Sequence, residues 1–234
     1  MTAVAIIPAR GGSKRIPRKN IRLFHGEPII SYAIRAALES GVFAEVMVST
    51  EDEEIADVAR KLGAQVPFLR SGANSGDRAT TLDVLVEVLD SYRRLGRHFD
   101  KLCCLYPTAV LTLPEALKAG VTRLQAEPAA ECVLPIVAYS YPIQRALLVR
   151  HGRLQMAQPD QAHARTQDLE PTYHDAGQWY WIRVRALGDP AFRILGPASV
   201  PIVVGSLVTQ DIDTEEDWAM AEAKFELLQR RRAR

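Results

Sequence analysis

An unbroken apolar run, Ala3-Val4-Ala5-Ile6-Ile7, reads as a buried strand, and Pro8 with the following Gly11-Gly12 ends it in an irregular loop. Ile30, Ala33, Ile34, Ala37 and Leu38 then recur at helical spacing, with Pro28 near the start and Gly41 at the stop. Val46-Met47-Val48-Ser49 predicts a second strand. Thr50-Glu51-Asp52-Glu53 reads as a capping box for a helix whose core face is Ile55, Val58, Ala59 and Leu62. Gln65 to Leu69 is a short third strand, a polar loop runs from Arg70 to Thr81, and Leu82, Leu85, Val86, Leu89 and Tyr92 mark the next helix. Leu102 to Tyr106 has the continuous apolar character of a central parallel strand, and Thr112-Leu113-Pro114-Glu115 starts another helix. This alternation predicts an α/β fold with a doubly wound, mostly parallel (mixed) sheet that binds ligands in a crevice at the carboxyl ends of its strands. The first loop, the 70–81 loop and the Tyr106-Pro107-Thr108 turn all fall on that edge.

From Glu131 onward the rhythm breaks. Cys132 to Val137 is a strand, but Tyr139 to Met156 reads as extended segments with turns at Tyr141-Pro142 and His151-Gly152, an excursion from the sheet over about 139–176. Trp179, Tyr180 and Trp181 alternate along a later strand. Trp218, Ala221, Phe225 and Leu228 form the buried stripe of a last helix, capped by Thr214 with Asp217. The 234 residues are read as one domain, 1–234.

Composition adds exclusions. Hydrophobic residues at 47% and charged residues at 24% match an ordinary globular chain, and no apolar run approaches the ~18 residues of a membrane helix. The N-terminus carries no secretory pattern, so the expected compartment is the cytoplasm. Cys103, Cys104 and Cys132 lack metal-type spacing and read as buried thiols. The net charge of +1 gives no global drive toward nucleic acid or membrane. Basicity is local, in the first loop and in Arg230-Arg231-Arg232-Ala233-Arg234, which reads as a solvated helix end.

Between Arg10 and Arg22 stand six Lys or Arg and no acid. A glycine-containing cationic loop at a strand mouth suits a polyphosphate, because freed backbone N–H groups can turn inward while the cations neutralise charge. The spacing fits neither standard nucleotide fingerprint, and a solvated surface run is the competing reading. Near the other end, Asp211 and Asp213 flank Ile212; if extended, they project to one side and can share a cation. The alternative is that Asp213 is only a helix cap.

The stretch Ile7-Pro8-Ala9-Arg10-Gly11-Gly12-Ser13-Lys14-Arg15-Ile16-Pro17-Arg18-Lys19-Asn20 resembles the signature loop of the CMP-N-acylneuraminate synthetases, cytidylyltransferases that activate nine-carbon sugar acids. The resemblance implies a Rossmann-like nucleotidyltransferase fold, with a small dimerisation excursion through which a homodimer partner contributes to the sugar site. It implies that Arg10, Gly11, Gly12, Ser13, Lys14, Lys19 and Asn20 hold CTP, joined by Arg70, Asp77, Ala79 and Thr81 from the second loop. Asp211-Ile212-Asp213-Thr214 is similar to the family's magnesium-binding segment, which makes Lys14, Asp211 and Asp213 the expected catalytic residues.

The sialic-acid enzymes carry Gln-Pro-Thr-Ser-Pro after the central strand, whereas this chain has Tyr106-Pro107-Thr108-Ala109-Val110. The stretches 141–147 and 165–178 look instead like the branch of the family that activates pseudaminic acid. Arg165 can pair with a sugar carboxylate, and Gln144, Gln167, His174, Gln178 and Tyr106 can line a polar pocket, each against a reading of plain surface or structural polarity. The same transfer onto legionaminic, N-acetylneuraminic or 3-deoxy-manno-octulosonic acid is the alternative within the enzymes. A non-catalytic nucleic-acid-binding module is the alternative outside them. Aromatic residues at 7% do not interleave with the basic loop, which argues against that module.

Overall fold

In a computed structural model, residues 2–76, 79–161 and 164–232 are described. The first strand, β1 (Ala3–Pro8), leads through the basic loop to a short ribbon, β2 (Leu23–Phe24) with β3 (Glu27–Pro28). Next come α1 (Ile30–Ser40), β4 (Glu45–Ser49), α2 (Glu53–Lys61), α3 (Thr81–Arg94), β5 (Lys101–Leu105) and α4 (Pro114–Ala126). The second half holds β6 (Cys132–Ala138), the hairpin β7 (Leu147–Arg150) and β8 (Arg153–Met156), β9 (Tyr173–Asp175), β10 (Trp179–Arg183), β11 (Ser199–Val203) and α5 (Glu215–Arg232).

The main sheet runs β11-β6-β10-β5-β1-β4, with β9 along β6. Pairings of β1 with β4 and β5, and of β11 with β6, are parallel; β10 is antiparallel to both its neighbours, which makes the sheet mixed, as expected. Side-chain alternation divides the core. Ala5, Ile7, Cys103, Trp179 and Trp181 face α1 and α4, while Val4, Ile6, Cys104 and Tyr180 face α3. All three cysteines are buried free thiols.

Two local expectations are corrected. Gln65 to Leu69 forms only a one-residue parallel bridge, Met47 with Gln65, because Pro67 has no N–H to continue a ladder. The cap of α2 is Asp52, whose carboxylate accepts from the Ile55 N–H at 3.1 Å; Thr50 accepts the Asp52 N–H instead. The cap of α3 is the reciprocal pair Thr80 and Asp83.

A third core positions the site. Ile16 of the basic loop, Phe24, Val110, Ile212, Trp218 and Ala221 are buried together. Phe24 sits edge-on to Trp218 and Phe225 at 5.6 and 5.5 Å. This cluster pins the N-terminal loop by apolar burial to the segment before α5, nearly two hundred residues away in the chain. Among the described residues, no helix is long and apolar enough to cross a membrane.

Candidate functional site

Three loops and the acidic segment converge on one cavity of about 640 Å3. Arg10, Ser13, Lys14, Lys19 and Asn20 line it from the basic loop, Arg70, Ala79 and Thr81 from the second loop, Tyr106 from the end of β5, and Asp211 and Asp213 from the acidic segment. Asp77 lies outside the described residues.

The basic loop is held by contacts within the protein. Asn20 is buried and donates its amide to the Arg10 carbonyl at 2.9 Å, closing the loop on itself. Arg18 has a left-handed backbone, φ 54°, and its guanidinium grips Asp52 and Glu54 at the start of α2. That guanidinium holds the Asp52 carboxyl below the usual carboxylate range. The two glycines act differently from expectation. The Gly11 N–H donates to the Glu51 carboxylate at 2.7 Å rather than turning toward the cavity, and a Cβ on Gly11 would meet the Asp52 carboxylate at 2.4 Å. Gly11 is therefore needed for close approach of the loop to α2, and neither Gly11 nor Gly12 lines the cavity.

Arg70 is buried at the cavity wall and is tied to Ser49 through Nε, 3.1 Å from the hydroxyl, and through Nη2 to the carbonyl. Burial pushes its guanidinium below the ordinary arginine range, opposed by the charge of Glu51. Tyr106, expected on the sugar side, shares a hydrogen bond with Thr81 at 3.2 Å inside the same cavity.

The acidic pair is oriented by burial between its members. Ile212 is fully buried, and Asp211 and Asp213 on either side both reach the cavity. Thr214 and Asp217 cap α5 reciprocally: Asp217 accepts from the Thr214 N–H at 2.8 Å, and the Thr214 hydroxyl accepts from the Asp217 N–H at 3.2 Å. Asp213 is thus not the cap. Its carboxylate instead meets Arg15 at 2.9 Å and Lys19 at 3.3 Å, and Lys19 also donates to the Ile212 carbonyl. The Asp211 carboxyl is raised above the usual range, first by desolvation in the crevice and then by the like charge of Asp213.

A smaller cavity of about 380 Å3 adjoins the first through the same two aspartates and contains His174, Asp175, Ser206 and Lys224. The other expected sugar ligands lie elsewhere. Gln178 is turned inward and buried, its amide donating to the Val208 carbonyl at 2.8 Å, so it braces the 3-10 turn Ser206–Val208 that leads to the acidic segment. Gln144, Arg165 and Gln167 line neither cavity. Gln144 donates to the Glu170 carbonyl at 2.9 Å, and Arg165 pairs with Asp168 at 3.0 Å on the exposed excursion. Sequence reasoning missed the roles of Arg15, Glu51 and Asp52. Arg15 stood in the basic run, and the two acids were read only as the start of a helix.

A positively lined crevice facing two carboxylates suits a nucleotide triphosphate, and comparison with known proteins narrows it. A family model described as cytidylyltransferase matches residues 4–175. The chain is 39% identical over 229 residues to a pseudaminic acid cytidylyltransferase of Campylobacter jejuni, covering 97% of each chain. It is 32% identical over 237 residues to a CMP-N,N'-diacetyllegionaminic acid synthase of Legionella pneumophila, covering 98% of both. The fold matches that of a CMP:2-keto-3-deoxy-manno-octonic acid synthetase solved with CTP, at a TM-score of 0.71 and 19% identity, covering 98% of this chain and 100% of that one. The chain belongs to the cytidylyltransferase family and is a nucleotidyltransferase.

Proposed function

We propose that the chain transfers CMP from CTP to the anomeric 2-hydroxyl of pseudaminic acid, releasing pyrophosphate. The observation that carries this is the convergence of Arg10, Lys14 and Lys19 with Asp211 and Asp213 on one cavity of nucleotide size. The 2-hydroxyl attacks the α-phosphorus in line; the new bond is oxygen to phosphorus, and the bond to the pyrophosphate oxygen breaks. Such transfers need little covalent work from the protein, so positioning and charge dominate. Arg10, Lys14 and Lys19 hold the phosphates, each charge-assisted bond contributing about 1.5–3 kcal/mol. Arg70, Ala79, Thr81 and Tyr106 surround the rest of the nucleotide.

The residues present fit magnesium. Among the described residues no cluster of three or more His, Cys, Asp or Glu could hold a metal alone. Magnesium is commonly held by one or two carboxylates together with substrate phosphates, and Asp211 and Asp213 are a like-charged pair at the cavity that a cation would relieve. When bound, the ion supplies charge neutralisation at the phosphates and lowers the pKa of the attacking hydroxyl.

The adjoining cavity with His174 is the place for the sugar acid. The exposed hairpin, with Val149 73% and Leu154 72% accessible, fits a homodimer contact that would carry Gln144, Arg165 and Gln167 to the partner's sugar site. Residues 1–234 act as one domain, and three buried free thiols favour the cytoplasm as its compartment. Pseudaminic acid is favoured over legionaminic, N-acetylneuraminic and 3-deoxy-manno-octulosonic acids by the higher identity to the Campylobacter enzyme among relatives matched over nearly the whole chain. The test is pyrophosphate release with CTP, magnesium and a panel of these acids, repeated with ATP and UTP. Release confined to CTP with pseudaminic acid is expected. Equal use of all three nucleotides, or no release with any acid, would remove the proposal.

A further inference from the structure

Arg15 stands apart from the other cations of the loop. It lines the nucleotide cavity, yet its guanidinium rests on Asp213 Oδ2 at 2.9 Å, while Lys19 takes Oδ1 at 3.3 Å. Both oxygens of one of the two carboxylates are therefore covered by cations of the protein itself. The two partners differ in how firmly they are held. The Lys19 side chain is 19% accessible and anchored to the Ile212 carbonyl; the Arg15 side chain is 65% accessible. An ion pair this exposed is weak and exchanges readily.

We propose that Arg15 is a positioning residue that closes Asp213 to divalent cations until a triphosphate draws the guanidinium away, so that metal and nucleotide enter together. This rests on the reading of Asp211 and Asp213 as the metal-holding pair. A guanidinium and a divalent cation on the same carboxylate oxygen repel each other, so the acidic pair binds metal poorly while Arg15 is in place. A triphosphate in the same cavity offers Arg15 several anionic oxygens and a bidentate geometry that one exposed carboxylate cannot match. The swing exposes Oδ2 as the phosphates arrive. Because binding coupling is reciprocal, whatever nucleotide does for metal affinity, metal does for nucleotide affinity through the same residue. The arrangement lowers the occupancy of the crevice by a bare ion, and the arriving nucleotide lifts that penalty.

The experiment is titration of manganese into the nucleotide-free, full-length protein, followed by the electron paramagnetic resonance of free ion, for wild type, Arg15→Ala, Arg15→Lys, and Asp211→Asn with Asp213→Asn. Removing Arg15 is expected to tighten manganese binding by about twofold to fivefold, the range that exposed ion pairs command. Arg15→Lys should stay near wild type. A tightened site is the opposite of what general loosening of the loop would give. Unchanged or weaker binding in Arg15→Ala, with binding still lost in the double Asn variant, overturns the closing role and leaves the metal reading standing. Manganese binding that survives the double Asn variant overturns both.

Discussion

The basic loop and the excursion are both polar, surface-lying segments, but they are held in opposite ways. The loop is tied at every few residues: Gly11 to Glu51, Arg18 to Asp52, Asn20 to Arg10, Lys19 to Ile212, and Ile16 into a buried cluster. Arg18 and Lys19 are held by contacts within the protein, and ordering of this kind reduces the entropy a ligand must overcome. The hairpin of β7 and β8 forms a separate two-stranded sheet with Leu147, Val149 and Leu154 exposed. An isolated two-stranded ribbon is marginal in water without something to pack on. The contrast teaches that the loop is fixed by contacts with the body of its own chain, whereas the hairpin presents an apolar face that nothing among the described residues covers.

The hardest blow to this contrast is aimed at the acidic pair. Asp213→Ala is expected to lower kcat at least about a hundredfold, the scale on which one preorganised charge contact acts. Its circular dichroism should stay that of wild type, since Thr214 and Asp217 cap α5 without it. Full magnesium-dependent turnover in this variant would show that the pair is not part of the machinery. Lys14→Ala tests the loop itself: the KM for CTP should rise about tenfold to a hundredfold, one charge-assisted contact, while the KM for the sugar acid moves little.

The excursion should respond in reverse. If the hairpin is the homodimer contact proposed above, Val149→Glu with Leu154→Glu places charges on its exposed face, and sedimentation should show a wild-type dimer replaced by monomer. The KM for the sugar acid should then rise at least about tenfold, through loss of contacts carried by Gln144, Arg165 or Gln167 from the partner, with CTP affinity measured by calorimetry unchanged. A monomeric variant with an unaltered sugar KM would place the whole sugar site within one chain.

What was legible in the sequence follows the same divide. The alternation of buried runs and amphipathic helices gave the order of α1, β4, α3, β5 and α4, because each element carries its own period. Asp211 and Asp213 were joined to the loops only by the family resemblance, whereas the edge shared by the basic loop, the 70–81 loop and the Tyr106 turn was legible from the strand ends. Contacts made sideways were not. That Glu51 would take the Gly11 N–H, or that Gln178 would turn inward to Val208, depends on how loops pack against each other, and neither leaves a periodic trace. The third strand failed for a local reason, Pro67, that overrides the apolar pattern around it.

The smallest expected effect probes whether the loop's order is electrostatic. Asp52→Asn removes the charge that Arg18 grips but keeps a good cap for α2 and the same shape beneath Gly11. The Asp52 carboxyl is depressed in the folded protein, so its contribution to stability is present above the unfolded carboxylate range and is lost as pH falls through the lower folded value. At neutral pH the variant should therefore melt lower than wild type, by no more than about 1 kcal/mol because the pair is partly exposed. The gap should close as pH drops into the acid range. The KM for CTP should rise by only about twofold to fivefold, since Asn20 and Ile16 still fix the loop. A gap in melting temperature that stays constant from neutral to strongly acid pH would mean that Asp52 holds the loop by shape, and that its charge contributes nothing to the order which separates the loop from the hairpin.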